Sequence, residues 1–339
     1  FFYLNVTNIM IYYIEQYFMG NYYSSSDTKQ AYADTSNNYN NYSSQYNWVL
    51  AYPQKKIIYM TNDNLSQFMN KDPYTIDNDE NIDGHMPSLK KYVDLRSLCP
   101  DILDDKGLHL SAINTLCFAL HYQLIRNKLD VFPPSRLFIY HNMKQYKGEQ
   151  NTFSFDTIFK SIQTYGFCSE LSYNYNMDNY NENGIKESLF HEAEQYKYIN
   201  IYRIPNSIKM LKTMLNNHMI PIIGFVVYNN LHMNYKINLS DTNTNSIIGG
   251  TTGSIVGYID TQQSFIVALS FGRGVGKNGY ILLPYKYVEN KDLVPELYYI
   301  DFDKTQIESF VFSSKQKQNN IIVTKKNKPK QNIYGGLFS

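Results

Sequence analysis

Between residues 112 and 126, Ile113, Leu116, Cys117, Leu120 and Leu124 recur at the three- and four-residue intervals of one helix face. Phe118, Ala119 and Tyr122 add apolar surface on other faces, so this helix is predicted to be largely buried. Ser111 stands where an N-cap would, and Pro133-Pro134 stops any continuation. Phe155, Ile158, Phe159 and Ile162 predict a second helix over Phe155–Tyr165, with Ser154 as cap and Gly166 as its C-terminal stop. Ile208, Leu211 and Leu215 predict a third over Ser207–Asn217. After Pro221 the pattern changes to short β-branched and aromatic runs between turn residues: Ile222–Tyr228, Ser254–Asp260, Ser264–Phe271, Gly279–Pro284 and Leu297–Asp301. Helices followed by strands predict an α+β fold with segregated halves rather than a doubly wound sheet.

This pattern occupies about residues 85–303, with a helical half over about 92–205 and a strand-rich half over about 206–303. Residues 1–84 read as an N-terminal extension. Within it, residues 20–47 are dominated by Asn, Tyr, Ser and Gln, a low-complexity composition that cannot bury enough surface to order itself. Trp48–Met60 is more apolar and is expected to dock on a domain, whereas Asn62–Asp83 is acidic and loop-like. Residues 304–339 read as a tail carrying Lys315, Lys317, Lys325, Lys326, Lys328 and Lys330. No uninterrupted run of about 18 apolar residues occurs, so no transmembrane span is predicted. Residues 1–18 lack the basic start and cleavage site of a signal peptide. Met19-Gly20-Asn21-Tyr22-Tyr23-Ser24 fits the N-myristoylation pattern at Gly20 if Met19 is a start, and it also fits a chance match in such a segment. An intracellular or virion location is favoured over secretion.

The net charge of +1 gives no global basic field, so specific nucleic-acid binding is not expected. The excess of Asn and Tyr fits AT-rich coding as well as any functional demand. Three cysteines without a CxxC pair exclude a disulfide framework and argue against structural zinc. The seven histidines sit at no metal-binding spacing, and no metal or cofactor is expected. Gly274-Val275-Gly276-Lys277-Asn278-Gly279 satisfies G-x-G-x-x-G as a string, but it lies between two predicted strands. A dinucleotide needs a helix N-terminus there for its pyrophosphate.

Several segments carry a resemblance in their order. Val93-Asp94-Leu95-Arg96, then Cys99-Pro100, then Asp105-Lys106-Gly107 ahead of a buried helix, resembles the entry of a papain-like (C1-type) cysteine peptidase. Pro134–Tyr140 is similar to that family's Ser-x-x-apolar-x-Tyr segment, and Gly166-Phe167-Cys168 to its Tyr-Gly-Val-Cys stretch. Pro221–Tyr228, the Gly249-Gly250 strand through Gly257-Tyr258, and the Phe265–Gly276 hairpin closed by Gly279-Tyr280 and Pro284-Tyr285 follow in the family's order. The match spans roughly residues 92–303. It implies a two-lobed fold: a helical left half with a central buried helix, a β-barrel-like right half, and a cleft between them.

The same resemblance locates the reactive positions and finds them changed. Counting from Asp105-Lys106-Gly107, the nucleophile falls on Ala112 and the oxyanion glutamine on Lys106. The histidine after Gly249-Gly250 is replaced by Thr251, and the orienting asparagine by Leu269. A thiol peptidase needs a thiolate, an imidazole to activate it and a group to orient the ring, and none of these residues can serve. The resemblance therefore implies a catalytically degenerate member, a pseudoenzyme acting as a binding or structural module, for instance in a virus particle. A protein or peptide in the residual cleft, lined by Ser111, Gly249, Gly250 and Phe271, is the expected partner. The alternative is an active peptidase with a displaced nucleophile, Ser111 (with His109 close in sequence) or Cys117. Against it, Ser111 suits a helix cap and Cys117 a core thiol.

Overall fold

The computed structural model describes residues 57–69, 89–144, 154–182, 184–228, 235–239 and 247–314. The myristoylation motif at Gly20, the low-complexity stretch 20–47 and the lysines from Lys315 onward lie outside the described residues.

Two cores meet on a central helix, α2 (Ser111–Arg126), after a first helix α1 (Asn62–Met69). Every residue of α2 except His121 and Ile125 is buried, as the all-round apolar pattern predicts. Ala112, Ile113, Leu116, Leu120 and Leu124 pack into a left-hand core with α3 (Arg136–Lys144) and α4 (Phe155–Tyr165). Phe118 and Tyr122 belong to the right-hand core of the sheet. The predicted second helix forms with its expected ends: the Ser154 side chain accepts from Thr157 N–H, and Gly166 stops the helix at φ 72°. The third runs over Ile208–Asn216 (α7), its Ser207 cap accepting from Met210 N–H. Between α4 and α7 lie the short helices α5 (Met177–Asn181) and α6 (Glu187–Ala193), and α8 (Tyr285–Glu289) follows in the strand-rich half.

Among the described residues the sheet has eight strands: β1 (Ile58–Tyr59), β2 (Tyr92–Asp94), β3 (Ile199–Arg203), β4 (Ile222–Tyr228), β5 (Ile247–Ile259), β6 (Ser264–Ala268), β7 (Tyr280–Pro284) and β8 (Glu296–Phe302). They run in the order β1-β3-β8-β4-β5-β6-β7, and β2 adds to β5 off this path. The mixed α+β class and its papain-like lobes stand as predicted, but the right half is not a closed barrel. Among the described residues β1 and β7 end the strand order without meeting, and β1 takes up the β3 edge. β5 is longer than predicted because its first half pairs with β4 (Phe225 opposite Thr251) and its second with β6 and β2. Gly257 allows the last contact: a Cβ there would lie 2.3 Å from Val93 O, so only glycine lets β2 cross.

Three local expectations change. Asn62–Asp83 is not loop-like throughout, because Asn62–Met69 is helical and buries Leu65 and Phe68. Ser111 is not the N-cap of α2; Leu110 holds that place without a side-chain cap, and Ser111 is the first helical residue. Residues 304–314 are helical, and Ile307 is buried in the left-hand core, so the C-terminal tail starts inside the fold. No helix among the described residues is long and apolar enough to cross a membrane.

Candidate functional site

The Val-Asp-Leu-Arg segment supplies β2 and a clamp. Asp94 accepts from Arg96 Nε and Nη2 at 2.9 and 2.6 Å, and Leu95 N–H donates to Val256 O. The Arg96 guanidinium also lies 5.4 Å from the centre of the Tyr280 ring, so the chain's entry into the domain is tied to the β6–β7 hairpin. The chain then reaches α2 through a loop zipped to that hairpin. Asp104 bridges Phe271, Asp105 N–H donates to Ser270 O at 3.1 Å, and Gly272 N–H to Leu103 O at 3.1 Å. Asp104 and Asp105 each accept a backbone N–H two residues on, from Lys106 and Gly107. These turns hold Lys106 at φ 48° and Gly107 at φ 77°, left-handed backbone that suits the glycine and strains the lysine.

These contacts bring together the positions that the resemblance singles out. Lys106 is exposed on the loop, and Ser111 and Ala112 open α2 beside Ser270, whose hydroxyl donates to Ser111 O at 3.4 Å. Leu269 follows β6, and its Cδ2 would lie 3.5 Å from a Cβ on Gly253, on the β5 face that Thr251 shares. Thr252, on the opposite face, meets Thr115 of α2 through a buried hydroxyl pair at 2.9 Å. Gly249, Gly250 and Phe271 are half-buried.

Ala112 is 1%, Thr251 0%, Leu269 3% and Ser111 0% exposed, so these four side chains are closed to solvent. Ser111 Oγ, both polar atoms of the Asn114 amide, Thr251 Oγ1 and Ser254 Oγ find no hydrogen-bond partner among the described residues. Ser111 therefore has no base on its hydroxyl, and His109 does not supply one. The three thiols are all shifted in the same direction. Cys117 is buried more than a turn along α2, and burial pushes its pKa well above the ordinary thiol value. Burial raises the Cys99 thiol and pushes Cys168 up to about 12. The glycine-rich string 274–279 leads from β6 into the strand β7 and not into a helix.

One residue that organises this region was not picked out by the sequence. Arg136, at the start of α3, makes a two-pronged pair with Glu170 at 2.8 and 2.6 Å and donates from Nη1 to Asp104 O at 2.9 Å. Its guanidinium lies 3.5 Å from the centre of the Tyr175 ring, and Tyr175 in turn donates its hydroxyl to Asp105 O at 2.8 Å. The loop that carries Lys106 is thus tied to the left half by one buried cation. A lone arginine in an apolar helix was the available signal; its partner stands 34 residues on. Among the described residues no group of three or more His, Cys, Asp or Glu side chains is placed to hold a metal ion.

This arrangement, a buried central helix packed against a long strand and a hairpin, is that of the papain-like cysteine proteases. The chain has that fold. It superposes on xylellain, a cysteine protease from Xylella fastidiosa, with a TM-score of 0.62 at 23% identity, over 76% of this chain and 96% of that one. Procathepsin B S9 from Trypanosoma congolense matches with a TM-score of 0.53 at 14% identity, over 76% and 86% of the two chains. Digestive procathepsin L 3 of Tenebrio molitor matches at 0.51 and 18%, over 72% and 80%. In sequence the chain is 28% identical to a peptidase C1-like protein of Acanthamoeba polyphaga mimivirus over 235 residues, 65% of this chain and 75% of that one. No family model matches the chain.

Proposed function

We propose that this chain is a papain-like protein without peptidase activity that serves as a binding or structural module. The observation that carries the reading is the content and closure of the reactive positions. Ala112 and Thr251 stand where the resemblance expects a thiol and an imidazole, and both are buried. A methyl group cannot attack a carbonyl, and a threonine hydroxyl does not take up a proton near neutral pH. Neither displaced nucleophile gains support: Ser111 is sealed and has no base, and Cys117 is held protonated by its apolar surroundings.

What stays near the surface around these positions is Lys106, Gly249, Gly250 and Phe271, and a protein or extended peptide would dock there. The relationship to a viral protein favours an assembly such as a virus particle as the setting. The test is exposure of the full-length protein to an electrophilic thiol probe and a peptide library at mildly acidic and neutral pH, read by intact mass and peptide sequencing. No adduct and no cleavage are expected. Stoichiometric labelling accompanied by peptide turnover would overturn the reading. Capture of the intact protein from its source, with identification of what co-purifies, then names the partner.

A further inference from the structure

The stretch ahead of the papain-like part makes a separate contact of its own. Ile58 and Tyr59 pair in parallel with Tyr202 and Arg203 of β3, and Met60 N–H donates to Arg203 O at 2.7 Å. The chain then reverses through a reciprocal cap. Thr61 N–H donates to Asn64 Oδ1 at 2.7 Å, and Asn64 N–H to Thr61 Oγ1 at 3.3 Å. The Asn64 amide donates back to Tyr59 O at 2.8 Å, which locks β1 to the start of α1.

This turn lays α1 over the sheet. Met60, Leu65 and Phe68 are buried, while Ile58 and Tyr59 keep exposed faces. Phe68 stands edge-on to Tyr202 at 5.3 Å and to Tyr299 at 5.6 Å. The contact thus combines two independent modes of peptide recognition, strand addition at a sheet edge and an amphipathic helix face set on aromatic side chains. It lies at the opposite end of the strand order from the β6–β7 hairpin.

We propose that the β3 edge together with Tyr202 and Tyr299 is a docking surface for a strand–turn–helix segment, and that its occupant is this chain's own Ile58–Met69. The segment is held by these contacts rather than by its covalent connection, so it stays bound when the chain is cut behind it. The inference stands apart from the state of the papain-like site, because none of its residues belongs to that site.

The test inserts a specific protease sequence between Asp79 and Glu80 of the full-length chain, cuts the folded protein, and follows both pieces by gel filtration at micromolar concentration. The pieces are expected to co-elute as one copy of each, with a melting temperature close to that of the uncut chain. With Leu65→Ala and Phe68→Ala combined, the uncut chain is expected to melt several degrees lower and the N-terminal piece to separate after cutting. Separation of the unsubstituted pieces would overturn the proposal, as would a double substitution that changes neither melting nor retention. Exchange of the segment between differently tagged copies, seen as a dimer before cutting, would also overturn it, because the occupant would then be a second copy's segment.

Discussion

Arg136 offers the sharpest test of how the region around α2 is held. Its side chain is 7% exposed and that of Glu170 is 20% exposed, and the pair is two-pronged at 2.8 and 2.6 Å. Replacing Arg136 by alanine removes this fork, the bond to Asp104 O and the stack on Tyr175. Removing one member of a buried pair costs about 3–5 kcal/mol, since the other charge is left unpaired. Glu170 keeps a fifth of its surface, so water recovers part of the loss and the low end, ~3 kcal/mol, is expected. At the unfolding entropy of a chain of this length that is roughly 4 °C or more in melting temperature. Urea unfolding gives the free energy directly. Arg136→Lys keeps the charge but loses the fork and the flat stack, so its cost is expected to be about half. Combined with Glu170→Gln, Arg136→Ala should show a coupling of about 1.5–3 kcal/mol in a double-mutant cycle. A loss below about 1 kcal/mol for Arg136→Ala would refute the view that this cation ties the loop to the left half.

Two glycines separate backbone strain from collision. Gly107→Ala meets open space but keeps φ at 77°, so a cost of about 1–2 kcal/mol in urea unfolding is expected. Gly257→Ala would drive a Cβ onto Val93 O, and a loss of about 3 kcal/mol or more, with release of β2, is expected. Two carboxylates should respond to pH with opposite signs. Asp105 is raised by burial, against the pull of Gly107 N–H, so its charge opposes folding at neutral pH. Asp105→Asn is therefore expected to stabilise at pH 7 by an amount that fades as pH falls through the raised value towards the ordinary carboxylate range and is gone below that range. Asp260 loses some charge preference to desolvation but is lowered overall by Lys212, whose Nζ donates to both of its oxygens at 2.8 Å, and by the Tyr285 hydroxyl. Asp260→Asn is expected to destabilise above the ordinary carboxylate range and to have no effect well below it. Urea midpoints across pH check both, and equal pH profiles for the two variants would contradict the assignment.

Much of the left half was legible because its signals are local. Ser154, the Phe155–Ile162 stripe and Gly166 specify a helix with both ends, and in the strand-rich half Ser207 marks the start of α7 in the same local way. The short strands β1, β2 and β3 carry no such signal. β3 lies within the stretch read as the helical half, and its strand character comes from pairing with β8, about a hundred residues on. α1 was hidden in an acidic stretch, and its Phe68 finds its partners, Tyr202 and Tyr299, only in the folded chain.

The sequence by itself determined the papain-like order of segments, a property of type and spacing along the chain, and from that order the resemblance points to Ala112, Thr251 and Leu269 as the residues to ask about. Only the tertiary structure decided that Ala112, Thr251 and Leu269 are sealed, that Ser111 opens α2 without capping it, and that the sheet stays open with the β3 edge taken by β1. The reason is range. Caps and periodicity are settled within a few residues, whereas burial, strand partners and the Arg136–Glu170 tie depend on segments brought together from tens to hundreds of residues apart.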